Sequence, residues 1–394
     1  MRKILIACVI AFVGHAVASD PSSLFLDRAL PFTLTQLEKP ARDPSNRFSG
    51  DIDAIALGEQ LFFDENLSRS GKISCASCHV TDGKFIPNES IPAQSDRTFR
   101  SVPSLLGAAY SDFLFWDGRA DSLWAQALGP LETMSEHDLT RTEVVQYVSN
   151  AYRHDWPEME NLTENLRASP VGDQHAREAW ATLTLEAQSL INQRFADVGK
   201  YIAAYEETLA IPTSAWDDWI SDAVNDPAKT AEIPASIIRG FNLFVGPAKC
   251  AQCHHGPLFS DFDFHNTGMP SRAGRAMDLG LQGGLLIVLN SPFNCQGRFS
   301  DAGSEDCKPL EFINLSMSRS IGAFRTPTLR SVSQKSVFGH AGQFSNLRDV
   351  IRHYQAAPES PLRNLARAPA GSDIQSLNLT ETDIDDLVAF LESL

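Results

Sequence analysis

Cys75-Ala-Ser-Cys78-His79 decides the reading of this chain, and it recurs as Cys250-Ala-Gln-Cys253-His254. Each is C-x-x-C-H, the attachment signature of c-type haem. Two thiols three residues apart on a turn entering a helix can each form a thioether to a haem vinyl group. The adjacent His then falls under the ring and can supply a nitrogen to the iron. A single copy would also suit a zinc or dithiol site. Two copies, neither followed by a second Cys/His pair at zinc-knuckle spacing, make that reading poor. The expected cofactors are two covalently bound c-type haems, with His79 and His254 as proximal iron ligands.

The 394 residues leave room for two domains of ordinary size. With 43% hydrophobic and 21% charged residues the composition is that of a soluble globular protein, and a net charge of −16 argues against a nucleic-acid partner. Met1-Arg2-Lys3, the apolar run Ile4 to Val13 and Ala16-Val17-Ala18 read as a signal peptide over residues 1–18. No later stretch approaches the ~18 apolar residues of a membrane span. The expected location is the periplasm, where disulfides are permitted. Of seven cysteines, Cys8 falls in the leader and four belong to the haem motifs. The remaining two, Cys295 and Cys307, bound a polar, Gly-bearing loop that suits a local disulfide, with metal binding as the minor alternative.

Residues 19–50 form a polar N-terminal extension. Residues 53–63 have helical apolar spacing, and the pattern returns at 237–244; both runs lead into a haem motif. Downstream, Phe99-Arg-Ser-Val-Pro103 matches Phe324-Arg-Thr-Pro327, and Trp116-Asp-Gly118 matches His340-Ala-Gly342. The chain is thus two diverged copies of one haem-binding unit, placed at 51–225 and 226–394. Residues 174–210 read as one long helix. Few runs alternate as strands do, so the fold class is mostly α, with two cytochrome c-like domains.

The repeat yields a sharper inference. Fourteen residues beyond His340 is Tyr354, and fourteen beyond Trp116 is Pro130. If the units superpose, these occupy matching places at their haems. Tyr can offer a phenolate to iron; Pro offers nothing. The second haem would be closed by His254 and Tyr354, and the first left open above His79. The plainer reading of Tyr354 is core packing, since it shares a helix face with Leu347 and Val350. His353 is a rival ligand on another face, and His255 most simply faces solvent. An open iron site that splits peroxide needs a base, an acid and an orienting donor. Glu136 can be both base and acid, Gln126 can orient, and Trp116 can lie between the haems as a relay. Each has an ordinary structural reading as well, a surface polar residue or a core aromatic.

With these residues the chain resembles the bacterial di-haem cytochrome c peroxidase and MauG superfamily over about residues 51–393. The resemblance rests on both C-x-x-C-H motifs, Trp116-Asp-Gly-Arg119-Ala, Gln126, Gly129-Pro130, Phe264-His-Asn-Thr-Gly268, Phe324-Arg-Thr-Pro-Thr-Leu-Arg330 and Val388-Ala-Phe-Leu-Glu-Ser-Leu394. It implies an inter-haem place for Trp116, a peroxide site at Gln126 and Glu136, and distal ligation of the second haem at Tyr354, which is Met in typical peroxidases. Those peroxidases carry a closing His some sixteen residues past the first motif, and Thr81 to Asp96 contains none. MauG-like enzymes use this open state with H2O2 to reach a bis-Fe(IV) form and oxidise aromatic residues of a separate protein.

The Cys295–Cys307 loop further resembles the MbnH-type branch, which oxidises a Trp of an MbnP-type periplasmic partner to kynurenine. Two departures follow. MauG's surface Trp before the second motif is Ala248 here, so the exit route for oxidising equivalents differs. The family's calcium site would fall on Ser101, where an Asn is usual, with carbonyls of Lys335 and Val337. The alternative function is a peroxidase reducing H2O2 with electrons from a small cytochrome or cupredoxin. A third reading, a non-enzymatic electron carrier, requires two closed haems.

Overall fold

The computed structural model describes residues 21–80, 85–87, 100–153, 156, 159, 167–270, 277–303, 305–311, 313, 318–366, 368–369 and 371–394. The leader, Phe99 and most of the Thr81–Asp96 segment lie outside the described residues. The chain is mostly helical. In order come α1 (Pro21–Ala29), α2 (Ile52–Phe63), α3 (Cys75–His79), α4 (Leu123–Glu132), α5 (Arg141–Ala151), α6 (Gln174–Thr182), α7 (Leu185–Glu206) and α8 (Ala215–Asn225). They continue with α9 (Ala235–Val245), α10 (Leu281–Asn290), α11 (Lys308–Glu311), α12 (Leu347–Ala356) and α13 (Glu381–Glu392). Among the described residues the only sheet pairs β1 (Phe264–His265) antiparallel with β2 (Phe324–Arg325), two residues each. No described helix is long and apolar enough to cross a membrane.

Two large hydrophobic cores largely follow the two units, with Phe293 and Phe299 of the second unit joining the first core. The first gathers Leu61 and Phe62 of α2, Trp124 and Leu128 of α4, Val145 of α5 and Phe195 of α7. The second gathers Phe241 and Phe244 of α9 with Ile384, Leu387 and Phe390 of α13. The extension and α8 also join this second core, through Phe25, Phe32, Trp216 and Ile220. Trp216 lies 4.8 Å from Phe241 and 5.1 Å from Phe390, centroid to centroid. Thus α8, which precedes residue 225 in the chain, packs with the unit that follows it.

The run 174–210 is two helices rather than one. The Leu183 N–H bonds back to the Trp180 carbonyl, ending α6, and the Thr184 hydroxyl accepts from Ala187 N–H to cap α7. A β-branched hydroxyl residue stabilises a helix start better than a helix interior, and the Ala/Glu/Gln composition hid that break.

Each motif is delivered by a helix pressed against another at backbone distance. A Cβ on Gly58 would lie 1.9 Å from the Tyr201 carbonyl oxygen of α7, and one on Gly240 would lie 2.1 Å from the Asp386 oxygen of α13. Both glycines open a G-x-x-L-F pattern, Gly58-Glu-Gln-Leu-Phe62 and Gly240-Phe-Asn-Leu-Phe244. The internal repeat therefore includes a matched close approach. Gly58→Ala should lower stability by about 1–3 kcal/mol through overpacking, overriding the ~1 kcal/mol that Ala ordinarily gains in a helix. A melting temperature at or above the parent's would show that α2 and α7 are not held this way.

Candidate haem centres

The first motif forms α3, whose start is fixed by Ser74 and Ser77 in a reciprocal cap; Ser74 N–H donates to Ser77 Oγ at 3.0 Å. His79 is half-buried. Burial holds its imidazole down to about 4, against the opposing pull of the Pro103 carbonyl. The ring is therefore neutral at ordinary pH, the form that ligates iron. Its Nδ1 is buried without a hydrogen bond of normal geometry. Burial also raises both thiols, with Glu206 adding to the effect at Cys75 and Glu136 to that at Cys78.

Glu136 is thereby brought to the first motif although the two are far apart in the chain. Its turn is held by His137, which is buried, bonded through Nδ1 to the Leu67 carbonyl, and whose own carbonyl accepts from Arg69 N–H at 2.9 Å. Burial raises the Glu136 carboxyl, and the Arg119 guanidinium pulls it partly back. Arg119 is held by Asp117 at 3.0 Å and lies over the Phe115 ring at 3.6 Å. Its electrostatic part was not read from the sequence; the Trp116-Asp-Gly-Arg119 motif contained the signal. Gln126 and Pro130 lie one turn apart on α4, both half-buried, while Trp124, Ala127, Leu128 and Leu131 of the same helix are buried.

The second motif begins in a tight turn over Cys250–Gln252 preceded by Lys249 at φ 57°. The His254 Nδ1 faces the Phe259 carbonyl at 2.9 Å, leaving Nε2 for a ligand. Burial lowers this imidazole too and pushes the Cys250 thiol up to about 12. Tyr354, on α12, lies close enough to both Cys250 and Cys253 to feel their charge. Burial raises its phenol and the Thr267 hydroxyl opposes that rise. Among the described residues no cation is among the groups acting on it. The rival His353 is engaged elsewhere, its Nε2 at 2.8 Å from the Thr267 carbonyl. His255 is exposed.

The units meet at Trp116. Its Nε1–H donates to the Ser101 carbonyl at 2.8 Å, and its own carbonyl accepts from Arg325 N–H of β2 at 2.9 Å. His340, the residue matched to Trp116 by the repeat, lies beside it at 6.4 Å between centroids and stacks on Phe324 at 3.6 Å. The matched segments therefore face each other across the junction. Ser101 donates its hydroxyl to the Gly339 carbonyl at 2.9 Å. Lys335 ends a short 3-10 turn, and the Val337 side chain lies against Gly342. Cys295 and Cys307 are joined in a disulfide, S–S 2.08 Å. Ala248 is buried.

A model of the family "Di-haem cytochrome c peroxidase" matches residues 53–225. The methylamine utilization protein MauG of Methylorubrum extorquens is 30% identical over 351 residues, covering 87% of this chain and 78% of that protein. The chain belongs to the di-haem cytochrome c peroxidase and MauG family. The cytochrome-c peroxidase IdrP1 of Denitromonas iodatirespirans is 29% identical, with 100% of this chain and 93% of that one covered. In fold the chain is similar to the diheme peroxidase BthA of Burkholderia thailandensis, with TM-score 0.60, 24% identity and 88% and 87% coverage. It is also similar to a MauG-like protein associated with microbial copper homeostasis, with TM-score 0.58, 22% identity and 91% and 93% coverage.

Membership makes the protein an H2O2-dependent oxidoreductase and implies two c-type haems. The residues fit them. Cys75, Cys78, Cys250 and Cys253 are free thiols, each pair beside a half-buried His whose pKa is lowered. Cys253, Asp261 and His265 also form a cluster of metal-binding type. Thioether formation would consume the Cys253 sulfur and leave only the Asp261–His265 ion pair of 2.9 Å. The second motif's loop is clamped by Arg330, which donates to the Pro257 carbonyl at 2.7 Å and to Asp217 of α8 at 2.5 Å. Arg330→Met should cost roughly 3–5 kcal/mol by leaving Asp217 buried and uncompensated. Denaturant unfolding within ~1 kcal/mol of the parent would reduce this pair to the worth of an exposed one.

Proposed function

We propose that the protein is an exported H2O2-dependent oxidase that takes electrons from an aromatic residue of a separate protein. In the MbnH-type form of this reading the residue is a Trp and the partner is of the MbnP type. The observation that carries the proposal is that the Tyr354 phenol lies within electrostatic reach of both sulfurs of the second motif. An anionic oxygen ligand favours high-valent over ferrous iron. The Cys295–Cys307 loop adds support for the MbnH-type form.

In this reading the haems, held by Cys75, Cys78 and His79 and by Cys250, Cys253, His254 and Tyr354, supply the redox chemistry. Pro130 offers no ligand, so the site above His79 admits peroxide. Glu136 takes a proton from one peroxide oxygen and gives it to the leaving one. Gln126 donates a hydrogen bond that orients the peroxide. Trp116, fixed to Ser101 at the junction of the units, relays charge between them. Because Ala248, which is buried, has no redox-active ring, the route to the partner runs elsewhere. A calcium ion at Ser101 and the Lys335 and Val337 carbonyls belongs to the proposal; a metal analysis of the purified holoprotein tests it. The peroxidase reading, with a small cytochrome or cupredoxin as donor, draws support from the peroxidase relatives.

One equivalent of H2O2 added to the fully oxidised protein should promptly remove both ferric EPR signals. Signals that persist until an electron is supplied would favour the peroxidase instead. Tyr354→Phe should keep both haems attached and leave the second ferric signal in place after H2O2; a ferric spectrum identical to the parent's would remove Tyr354 as a ligand. Glu136→Gln should slow peroxide activation by roughly 10²–10⁴-fold, and a rate within about twofold of the parent would exclude the acid–base role. The base must be ionised, so in the parent the rate should fall as pH drops through a carboxyl pKa above the usual 4.5. A profile flat down to that value would contradict the raised carboxyl.

A further inference from the structure

Reducing peroxide consumes protons: H2O2 with two electrons and two protons gives two waters. Glu136 only moves a proton between the two oxygens, so the net protons must come from solvent by another path. The last residue of α7 and the one after it, Glu206 and Glu207, are consecutive carboxyls facing different surroundings. Glu206 is 7% exposed, its Oε2 has no hydrogen-bond partner, and it lies near enough to the Cys75 sulfur to act on it more strongly than Cys78 does. Glu207 lines a cavity of about 620 Å³ that opens at the surface between the extension, the first unit and the Cys295–Cys307 loop, with Gln36, Asp43, Tyr110, Asp121 and Pro257 also in its wall. One Glu207 oxygen accepts from the Ser49 hydroxyl at 2.6 Å, and the other, Oε1, is buried and unpartnered.

The charged and titratable groups around the pair are mostly acidic. Tyr205 of α7 feels the charge of both Glu206 and Glu59 of α2, and Glu136 acts with Glu206 on Cys75. Asp43 and the single nearby cation, Arg42, act on Glu207. No cation acts on Glu206. Burial, then the adjacent carboxyl, raises Glu206 to about 8, and burial raises Glu207 to about 7.

We propose that Glu206 and Glu207 are the proton-loading pair of the first haem site, Glu207 exchanging protons with the cavity and Glu206 holding one beside the haem edge at Cys75. When that haem gives up an electron to an external oxidant, Glu206 releases its proton through Glu207. When the electron returns, the proton does too. Cys75, once a thioether, takes no part in this exchange.

The test is a spectroelectrochemical titration of the diferric holoprotein at several pH values. The first haem's midpoint should fall as pH rises around 8, since ionised Glu206 favours the oxidised form. Glu206→Gln should abolish that dependence and leave the second haem's midpoint unchanged; an undiminished dependence overturns the proposal. Redox-difference infrared spectra of the parent decide the matter even if that variant misfolds. Oxidation should bleach a protonated-carboxyl band that persists in Glu136→Gln; no band, or one lost in Glu136→Gln, overturns the assignment. Glu207→Gln should slow dye-detected proton release at least tenfold, and an unchanged rate removes Glu207 from the path.

Discussion

The Tyr201 carbonyl occupies the space that a side chain on residue 58 would need. That one exclusion sets the distance between α2 and α7, and much of the first haem centre is read from it. Helix α2 leads into the Cys75–His79 turn. Helix α7 supports α4, again at close range, since a Cβ on Gly199 would lie 2.5 Å from the Trp124 carbonyl. Helix α4 in turn carries Gln126 and Pro130. Interiors at crystal-like density transmit such constraints directly. The second unit repeats the device at Gly240 against α13, which fixes α9 and the Cys250–His254 turn after it.

Around this frame the electrostatics have a common cause. His79, His254, Tyr354, Glu136 and Glu206 are all shifted toward their neutral forms, and burial is the first cause for each. A low-dielectric interior disfavours isolated charge. Groups held toward their charged forms are paired: Asp217 with Arg330, and Arg100 and Asp278 with each other, Arg100 also reaching Asp117. The pairs tie segments distant in the chain, whereas the unpaired neutral groups cluster at the two motifs. A cofactor whose charge changes is what such groups are placed to answer.

How much of this was legible beforehand depends on the range of the interaction. The C-x-x-C-H motifs, the Cys295–Cys307 loop and the helices over 52–63 and 235–245 are local patterns, readable within a few turns. The Trp116/His340 match was visible as a repeat, but nothing in it said that the two rings would lie side by side. The break at Leu183–Thr184 was missed because propensity outweighed a single capping hydroxyl. Glu206 carried no signal at all, being one acidic residue at the end of a polar-looking helix.

The sequence by itself determined the haem chemistry and the two-unit architecture, because thioether attachment and helical periodicity depend on residue spacing alone. Only the tertiary structure decided that α1 and α8 pack with the second core, that Tyr354 comes within electrostatic reach of the second motif's sulfurs, and that Glu136 and Glu206 do so at Cys75. Those facts depend on which helix faces meet, and on how much water leaves when they do. Neither quantity is a property of any short stretch of chain.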